Sequence, residues 1–450
     1  MLPRHGVGAR WRASSLDDRL GLLVAVLAMA VATSTGISHA FAQPVYGPID
    51  EVSHTAYAFH VGKYGVPPVL GRDRAFIGRK GVPLGSRDVD IPKPEKASAP
   101  IPIGPGGVFG QPEAIQPPLY YYVIAPITWF STGTAAVIAM RLAGVLMILV
   151  SVLLAFLAVV DLTGDALAGG FAAMVLATMA GVIDFLSQVQ NDALLLPLGG
   201  ALFWLVARAV RRRSLTWPLA ACAAALSITQ IVGVALAAAA VVAVAALEVR
   251  SARARLPAVA LRIAVAGVPL VLWVVSNVIR YGTLLPRNVT AAPGLFRSEN
   301  EQILHLHEYG FTVFNAIIGG SYLHLYASPY GADYRPLSIL MPVVMAGTGL
   351  VCAFGSERYR LALGYAYGMV AVSMVIIYLA DAASLIGTGG DLAALAIHRY
   401  YMPTIFAGAC LSGIAAGGLS SRTGVRRTLL LALPLILTYW AINGSTLTPV

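Results

Sequence analysis

Long apolar stretches constrain this chain more than any other feature of its sequence. A helix that crosses the hydrocarbon core of a bilayer needs about 20 mostly apolar residues. Stretches that meet this requirement recur along the chain at residues 20–41, 135–159, 166–186, 193–209, 216–231, 232–248, 257–278, 337–355, 361–380, 400–418 and 428–446. The sequence therefore predicts an all-α polytopic membrane protein with about 11 transmembrane helices.

Composition and charge agree with this class. Hydrophobic residues make up 58% of the chain and charged residues only 12%, which is outside the range of soluble domains. The net charge of +10 comes from Lys and Arg at segment ends and in one long loop, so lipid headgroups explain it better than a nucleic acid. Cys222, Cys352 and Cys410 all lie in apolar segments and offer neither a disulfide framework nor a Cys-x-x-Cys metal site.

Basic clusters predict the orientation, because Lys and Arg gather on the cytoplasmic side of membrane helices. The clusters are Arg4, Arg10 and Arg12; Arg211 to Arg213; Arg250, Arg253 and Arg255; Arg358 and Arg360; and Arg422, Arg426 and Arg427. The apolar run from Leu215 to Leu247 has such a cluster on both sides, so we interpret it as a tight hairpin that turns near Ile228 to Gly233. The N-terminus is then cytoplasmic and the C-terminus outside.

This topology gives a domain plan for the chain. A cytoplasmic segment (1–19) and a first helix (20–41) precede a long extracytoplasmic loop (42–120), which is followed by transmembrane helices 2–7 (121–279), a second outer loop (280–336) and transmembrane helices 8–11 (337–450). An alternative for the N-terminus is a signal peptide, since "AFAQ" places small residues at Ala40 and Ala42. The abundance of Ala, Gly, Val and Arg indicates a GC-rich bacterium, so we expect an uncleaved helix in a multi-pass protein of a bacterial plasma membrane.

An acidic pair, Asp50 and Glu51, follows the first predicted span at once, with His54 three residues later. A carboxylate at headgroup level can have its pKa raised enough to act as a general base near neutral pH. The alternative is structural, because Asp or Glu at this position also suits the start of an interfacial helix from Val52 to Tyr64. Both interpretations can hold together.

Five motifs, in order along the chain, resemble those of bacterial GT-C-type integral membrane glycosyltransferases. They are "PIDEVSHTAYAFHVGKYGVPP" (48–68), "EAIQPPLYYYVIAP" (113–126), "QVQNDALLLPL" (188–198), "VIRYGTLLP" (278–286) and "HRYYMP" (398–403). Each lies on the outer side of the predicted topology. The resemblance extends over nearly the whole chain and identifies neither a subfamily nor a substrate.

The resemblance implies transfer of a sugar from a polyprenyl-phosphate donor to an acceptor at the extracytoplasmic face. It implies that an acid of the outer loop takes the acceptor proton while the lipid phosphate leaves. Asp50 is the candidate base, and Glu51 is its substitute or a ligand for metal or sugar. Some members of the group use a divalent cation at the acidic pair, so such a cation is the one cofactor that the resemblance suggests.

Three arginines are candidates for binding the donor's lipid phosphate, because the guanidinium fork can donate two hydrogen bonds at once. Arg280 and Arg399 lie at the outer ends of predicted spans, where the alternative is snorkelling to headgroups. Arg141 lies inside the second span, about two turns from its outer end. An unpaired charge is costly there, so we expect a partner for it.

Further candidates for substrate binding are His54, Tyr120, Tyr121, Asp192 and His398. Tyr120 and Tyr121 have an alternative role in an interfacial aromatic belt, and Asp192 with Asn191 has one in a tight turn. The alternative functions are a transporter or flippase of lipid-linked sugars and an inactive membrane scaffold. The enzyme is favoured because polar residues concentrate on one face and no internal repeat is visible.

Overall fold

A computed structural model gives the fold. It describes residues 15–46, 51–79, 87–93, 108–179, 182–183, 186–251, 256–284, 356–388 and 402–419 and the single residue 432. The predicted span 337–355, nearly all of the predicted span 428–446 and most of the predicted loop 280–336 lie outside these ranges.

Helices form almost all of the described chain. In chain order they are α1 (Leu16–Ala42), α2 (Glu51–Tyr64), α3 (Leu119–Ile124), α4 (Ile127–Phe130), α5 (Gly133–Thr163), α6 (Ala166–Ala177), α7 (Asp192–Arg212), α8 (Trp217–Ser227), α9 (Ile231–Val249), α10 (Leu256–Tyr281), α11 (Glu357–Thr388) and α12 (Met402–Leu419). Within the described ranges, six of them are long and apolar enough to cross a membrane: α1, α5, α7, α9, α10 and α11. The predicted class of an all-α multi-pass membrane protein is confirmed.

Local sequence explains where several helices begin and end. Ser15 and Asp18 form a capping box at the start of α1, in which each side chain hydrogen-bonds the other residue's backbone N–H. Gly164 ends α5 with a φ of 67°, a left-handed conformation that glycine adopts without strain. The Asp165 carboxylate then accepts hydrogen bonds from the first N–H groups of α6.

The predicted hairpin in the run 215–247 is present as α8 and α9, and the break between Ser227 and Ile231 falls inside the predicted turn. At the turn, the Leu119 N–H donates to the Ile228 carbonyl at 3.0 Å. At the opposite end, the Glu248 carboxylate accepts from the Leu215 N–H at 2.6 Å and pairs with Arg262 of α10. The two flanking ends therefore lie at the same end of the bundle.

Close helix packing in the bundle depends on small residues, as is usual in membrane proteins. α1 packs against α6 and α5, and α12 packs against α6. A Cβ at Gly21 of α1 would collide with the backbone of Ala166, and a Cβ at Gly170 of α6 would collide with the Gly21 carbonyl. These two glycines let the backbones of α1 and α6 approach directly.

A small region lies between α1 and α5 in the chain, and we call it the outer region after the side of the membrane that the sequence predicts for it. It contains α2, a three-stranded sheet and a 3-10 turn at Pro112–Ile115. The strands are β1 (Arg74–Ile77), β2 (Val89–Ile91) and β3 (Val108–Gly110), ordered β2-β1-β3 with β1 parallel to β2 and antiparallel to β3. Ten of the fourteen residues of α2 are buried, so this helix is packed within protein rather than exposed along a membrane surface as the sequence suggested.

Candidate functional site

Arg141 of α5 has the partner that its depth in the span predicts. Its side chain is fully buried and donates Nε to Glu51 Oε1 and Nη2 to Glu51 Oε2, both at 2.7 Å. Nη1 donates to the carbonyls of Ala40 and Gln43, and Nη2 also donates to the carbonyl of Pro44. A guanidinium has five N–H groups, so every donor of Arg141 is used by the protein.

The carboxylate of Glu51 likewise uses all of its hydrogen-bonding capacity. Its carboxylate is fully buried, and in addition to the two bonds from Arg141 it accepts the Val189 N–H on Oε1 at 3.0 Å and the Tyr46 N–H on Oε2 at 2.8 Å. A carboxylate offers about four lone-pair sites, and these four bonds use them. Charged hydrogen bonds with this geometry are what make a buried ion pair tolerable.

The Glu51–Arg141 pair changes two expectations from the sequence. Arg141 has no N–H left for a lipid phosphate, so the geometry does not support that role. Glu51 directs its carboxylate to α5 and to the chain segments around Tyr46 and Val189, which does not support the interpretation of Glu51 as a simple helix cap. The pair joins the end of α1, the start of α2, α5 and the segment before α7.

Aromatic side chains continue the site along α2. His54 Nδ1 and Tyr121 Oη lie 2.7 Å apart and share a hydrogen bond whose direction depends on the His54 tautomer. Tyr57 stacks on Tyr121 with ring centroids 3.6 Å apart and donates its hydroxyl to the Gln116 carbonyl at 3.3 Å. Burial raises the pKa of Tyr57 well above its usual value, which keeps this phenol protonated as a donor.

Two of the three consecutive tyrosines are inside the protein. Tyr120 and Tyr121 have no exposed surface, whereas Tyr122 is 42% exposed. The hydroxyl of Tyr120 accepts the Gln190 N–H at 3.0 Å. An interfacial aromatic belt therefore does not account for Tyr120 and Tyr121, and they join α3 to the segment before α7.

Asp192 begins α7 at the same end of the bundle. It is fully buried, and its Oδ1 accepts a hydrogen bond from Gln230 Nε2 at 2.7 Å. Gln230 lies in the turn between α8 and α9, in the middle of the apolar run, and the sequence alone did not single it out. Two sets of contacts bring these groups together. One runs from His54 through Tyr121 and Tyr120 to Gln190. The other joins Glu51 to Val189.

Arg280 differs from Arg141 in how its donors are used. Among the described residues, its side chain makes one hydrogen bond, from Nη1 to the Pro67 carbonyl at 3.4 Å. The neighbouring Tyr281 hydroxyl accepts the Leu70 N–H at 3.2 Å. The end of α10 therefore contacts the loop that follows α2, and most guanidinium donors of Arg280 have no partner among the residues that the structure describes.

A buried pair in the outer region was missed by sequence reasoning. His60 Nε2 lies 3.7 Å from Asp73 Oδ2, and both side chains are fully buried. Burial lowers the pKa of His60 from 6.5 to about 4, opposed by the Asp73 charge. Asp73 also accepts from the Val69 N–H and from Arg72, so it fixes the turn before β1. The two residues are 13 positions apart, with no motif that connects them.

Comparison with known proteins gives a structural neighbour for the fold. No protein-family model and no curated protein matches the sequence. The crystal structure of ArnT from Cupriavidus metallidurans bound to undecaprenyl phosphate is similar over 94% of this chain and 69% of that chain, with a TM-score of 0.51 and 16% identity. ArnT is a GT-C glycosyltransferase. This chain has the GT-C fold. The resemblance of the sequence motifs to that group is thereby confirmed at the level of the fold.

Three candidate residues of this GT-C fold lie outside the described residues: Asp50, Arg399 and His398. Their roles stay predictions from the sequence. Asp50 is the residue directly before Glu51, and Arg399 and His398 come shortly before α12.

A divalent cation at the acidic pair finds little support in the described half of that pair. The four lone-pair sites of Glu51 are taken by N–H donors, so a cation there would have to displace Arg141. Within the ranges that the structure describes, His, Cys, Asp and Glu form no group of three that could hold a metal ion. No chemical step is assigned to a metal.

Proposed function

We propose that this protein is a membrane glycosyltransferase that transfers a sugar from a polyprenyl-phosphate donor to an acceptor at the extracytoplasmic face. The likeness of its fold to ArnT, whose crystal structure contains undecaprenyl phosphate, supports the class of enzyme and donor. The observation that supports the mechanism is the saturated Glu51–Arg141 pair, because it occupies Glu51 and so favours the other acid of the Asp-Glu motif as the base.

In this proposal Asp50 is the general base. Glu51 cannot take a proton without giving up hydrogen bonds from Arg141, Tyr46 or Val189, so it is suited to hold the start of α2 in place. Asp50 is the acid that remains. It takes the proton of the acceptor hydroxyl as that oxygen forms a bond to the anomeric carbon of the sugar. The bond from the anomeric carbon to the phosphate oxygen breaks, and polyprenyl phosphate leaves with the electron pair.

Arg280 and Arg399 are proposed to stabilise the departing phosphate. Within the described ranges Arg280 uses one of its donors, and it lies where α10 meets the outer region, within electrostatic range of Tyr57. A preorganised cation at this position stabilises the negative charge that grows on the phosphate in the transition state. Arg141 does not contact the phosphate in this proposal. It is a positioning residue that holds Glu51 in place.

The test compares cells that carry the wild-type protein or Asp50→Asn. Mass spectrometry measures envelope glycans and polyprenyl-phosphate sugars in both. We expect the Asp50→Asn cells to lose one type of sugar residue from a glycan while its lipid-linked donor accumulates. Unchanged glycans and donors at normal protein abundance would refute the proposal. If the protein were instead a flippase, the Asp50→Asn cells would keep the donor on the cytoplasmic leaflet. Limited chemical labelling of intact cells distinguishes donor on that leaflet from donor on the outer leaflet.

A further inference from the structure

Three amide side chains, in the segment before α7 and in the turn between α8 and α9, have buried polar atoms without hydrogen-bond partners. They are Gln188, Asn191 and Gln230, which we call the amide cluster; they are 4%, 2% and 3% exposed. Gln188 Oε1, Asn191 Nδ2 and Gln230 Oε1 each find no partner among the described residues. Native proteins satisfy the great majority of such atoms, so three in one place call for an explanation.

The amide cluster is held together by short-range structure. Gln188 and Asn191 are three residues apart in the segment that leads into α7. Gln230 reaches the same segment from the turn between α8 and α9, because its Nε2 donates to Asp192 Oδ1 at 2.7 Å. The Gln190 N–H, in the middle of the segment, is anchored on the Tyr120 hydroxyl.

The position of the cluster connects it to the proposed reaction centre. Val189 lies between Gln188 and Asn191 in the chain, and its N–H donates to Glu51. Glu51 directly follows the proposed base, Asp50. A group bound at the amide cluster would therefore lie beside Glu51 and at the end of the bundle where α10 carries Arg280.

The chemistry of the free atoms specifies the ligand. They comprise two acceptors, Gln188 Oε1 and Gln230 Oε1, and one donor, Asn191 Nδ2. Sugar hydroxyls both donate and accept, so they satisfy such a set without any charge. The charged side chain bonded within the cluster is the acid Asp192, which would repel a carboxylate or phosphate on the sugar.

We propose that the amide cluster recognises the sugar of the donor through its hydroxyls and that this sugar carries no negative charge. The inference rests on the proposed function and extends it to the class of sugar. Gln188, Asn191 and Gln230 are then specificity residues. They bind the transferred group, whereas Arg280 binds the phosphate, so the two contributions can be measured separately.

The experiment uses the full chain in lipid nanodiscs and follows its thermal unfolding with three probes: bare polyprenyl phosphate, polyprenyl-phosphate mannose and polyprenyl-phosphate glucuronate. We expect the mannose donor to stabilise wild type more than the bare lipid, and the glucuronate donor no more than the bare lipid. In Gln188→Met the extra shift from mannose should be lost, with about threefold to tenfold weaker binding, the loss of one neutral hydrogen bond.

Two controls separate recognition from folding. Gln188→Met keeps the side-chain volume and removes an unsatisfied amide, so the unliganded protein should unfold at the same or a higher temperature, and its response to bare polyprenyl phosphate should persist. Thr229→Val alters a buried neighbour whose hydroxyl already donates to the Ala225 carbonyl at 2.8 Å. It should keep the extra shift from the mannose donor.

The outcomes are distinguishable. If Gln188→Met and Asn191→Leu both keep the extra shift, ordered water satisfies these atoms and the amide cluster is not a sugar site. If glucuronate stabilises as well as mannose, the assignment of a sugar without negative charge is wrong. If wild type does not respond even to bare polyprenyl phosphate, the proposed function itself fails, and the sugar site fails with it.

Discussion

Glu51 and Arg141 lie 90 residues apart in the sequence and form a two-point ion pair in which neither partner has hydrogen-bonding capacity to spare. The guanidinium also binds the carbonyl of Ala40 in α1 and that of Gln43 just after it, and the carboxylate also binds two backbone N–H groups. One buried pair therefore sets the relative positions of α1, α2, α5 and the segment before α7. The acidic motif is attached to the bundle through this pair.

The first prediction concerns the stability that this pair contributes. Arg141→Met should lower the free energy of unfolding by about 3–5 kcal/mol, because it leaves the Glu51 carboxylate buried without its counter-charge. The double variant Glu51→Met/Arg141→Met should recover part of that loss, since it buries no charge. Unfolding by denaturant titration in detergent measures both. The matched control is Arg211→Met, whose partner Asp161 is partly exposed and whose loss should cost about 1 kcal/mol or less. Equal effects of Arg141→Met and Arg211→Met would contradict this account.

The second prediction separates the two acids of the motif. Asp50→Asn should abolish sugar transfer and leave the unfolding free energy within about 0.5 kcal/mol of wild type, as expected for a side chain whose proposed task is to take the acceptor proton. Glu51→Gln should destabilise by several kcal/mol, because an amide cannot accept all four N–H donors that the carboxylate binds. Transfer assays and unfolding curves on the same preparations test the pattern. Full activity of Asp50→Asn would assign the base to another group.

The third prediction concerns the donor phosphate. Arg280→Ala should weaken the binding of polyprenyl phosphate by about 10-fold to 100-fold, the range for a charged hydrogen bond or two. Its stability should change little, since its described bond to Pro67 is long at 3.4 Å. Arg208→Ala, at the opposite end of the bundle near Asp161, is the matched control and should bind the lipid normally. Titration of the lipid against protein in nanodiscs gives both affinities. An unchanged affinity in Arg280→Ala would remove Arg280 from the site.

The fourth prediction is a pH dependence that originates in the outer region. Burial lowers the pKa of His60 from 6.5 to about 4, so between these values the unfolded chain binds a proton that the folded chain does not. The stability that His60 contributes is therefore fully present above pH 6.5 and is lost as the pH falls toward 4, by about 3 kcal/mol in total. His60→Phe should flatten the curve of unfolding free energy against pH in this window. His54→Phe, which removes a different buried histidine of α2, serves as the comparison. A steep dependence that survives in His60→Phe would place its origin elsewhere.

Local patterns of the sequence were enough for the helices. Apolar length predicted the spans that became α1, α5, α7, α9, α10, α11 and α12, and the flanking Arg clusters predicted the hairpin turn that the structure has at residues 228–230. The described part of the span predicted at 166–186 is shorter, because α6 ends at Ala177. The sheet was not predicted, since strands of three or four residues carry too little alternation to be recognised.

By itself, the sequence determined that this chain is a multi-pass helical membrane protein. It also determined where the helices turn and that Arg141 requires a partner. Each of these depends on neighbours along the chain and on the cost of charge in hydrocarbon. Only the tertiary structure decided that the partner is Glu51, that Tyr120 and Tyr121 are buried and that Gln230 meets Asp192. These contacts join residues far apart in the chain, and their burial depends on how the helices pack, a property that no local pattern encodes.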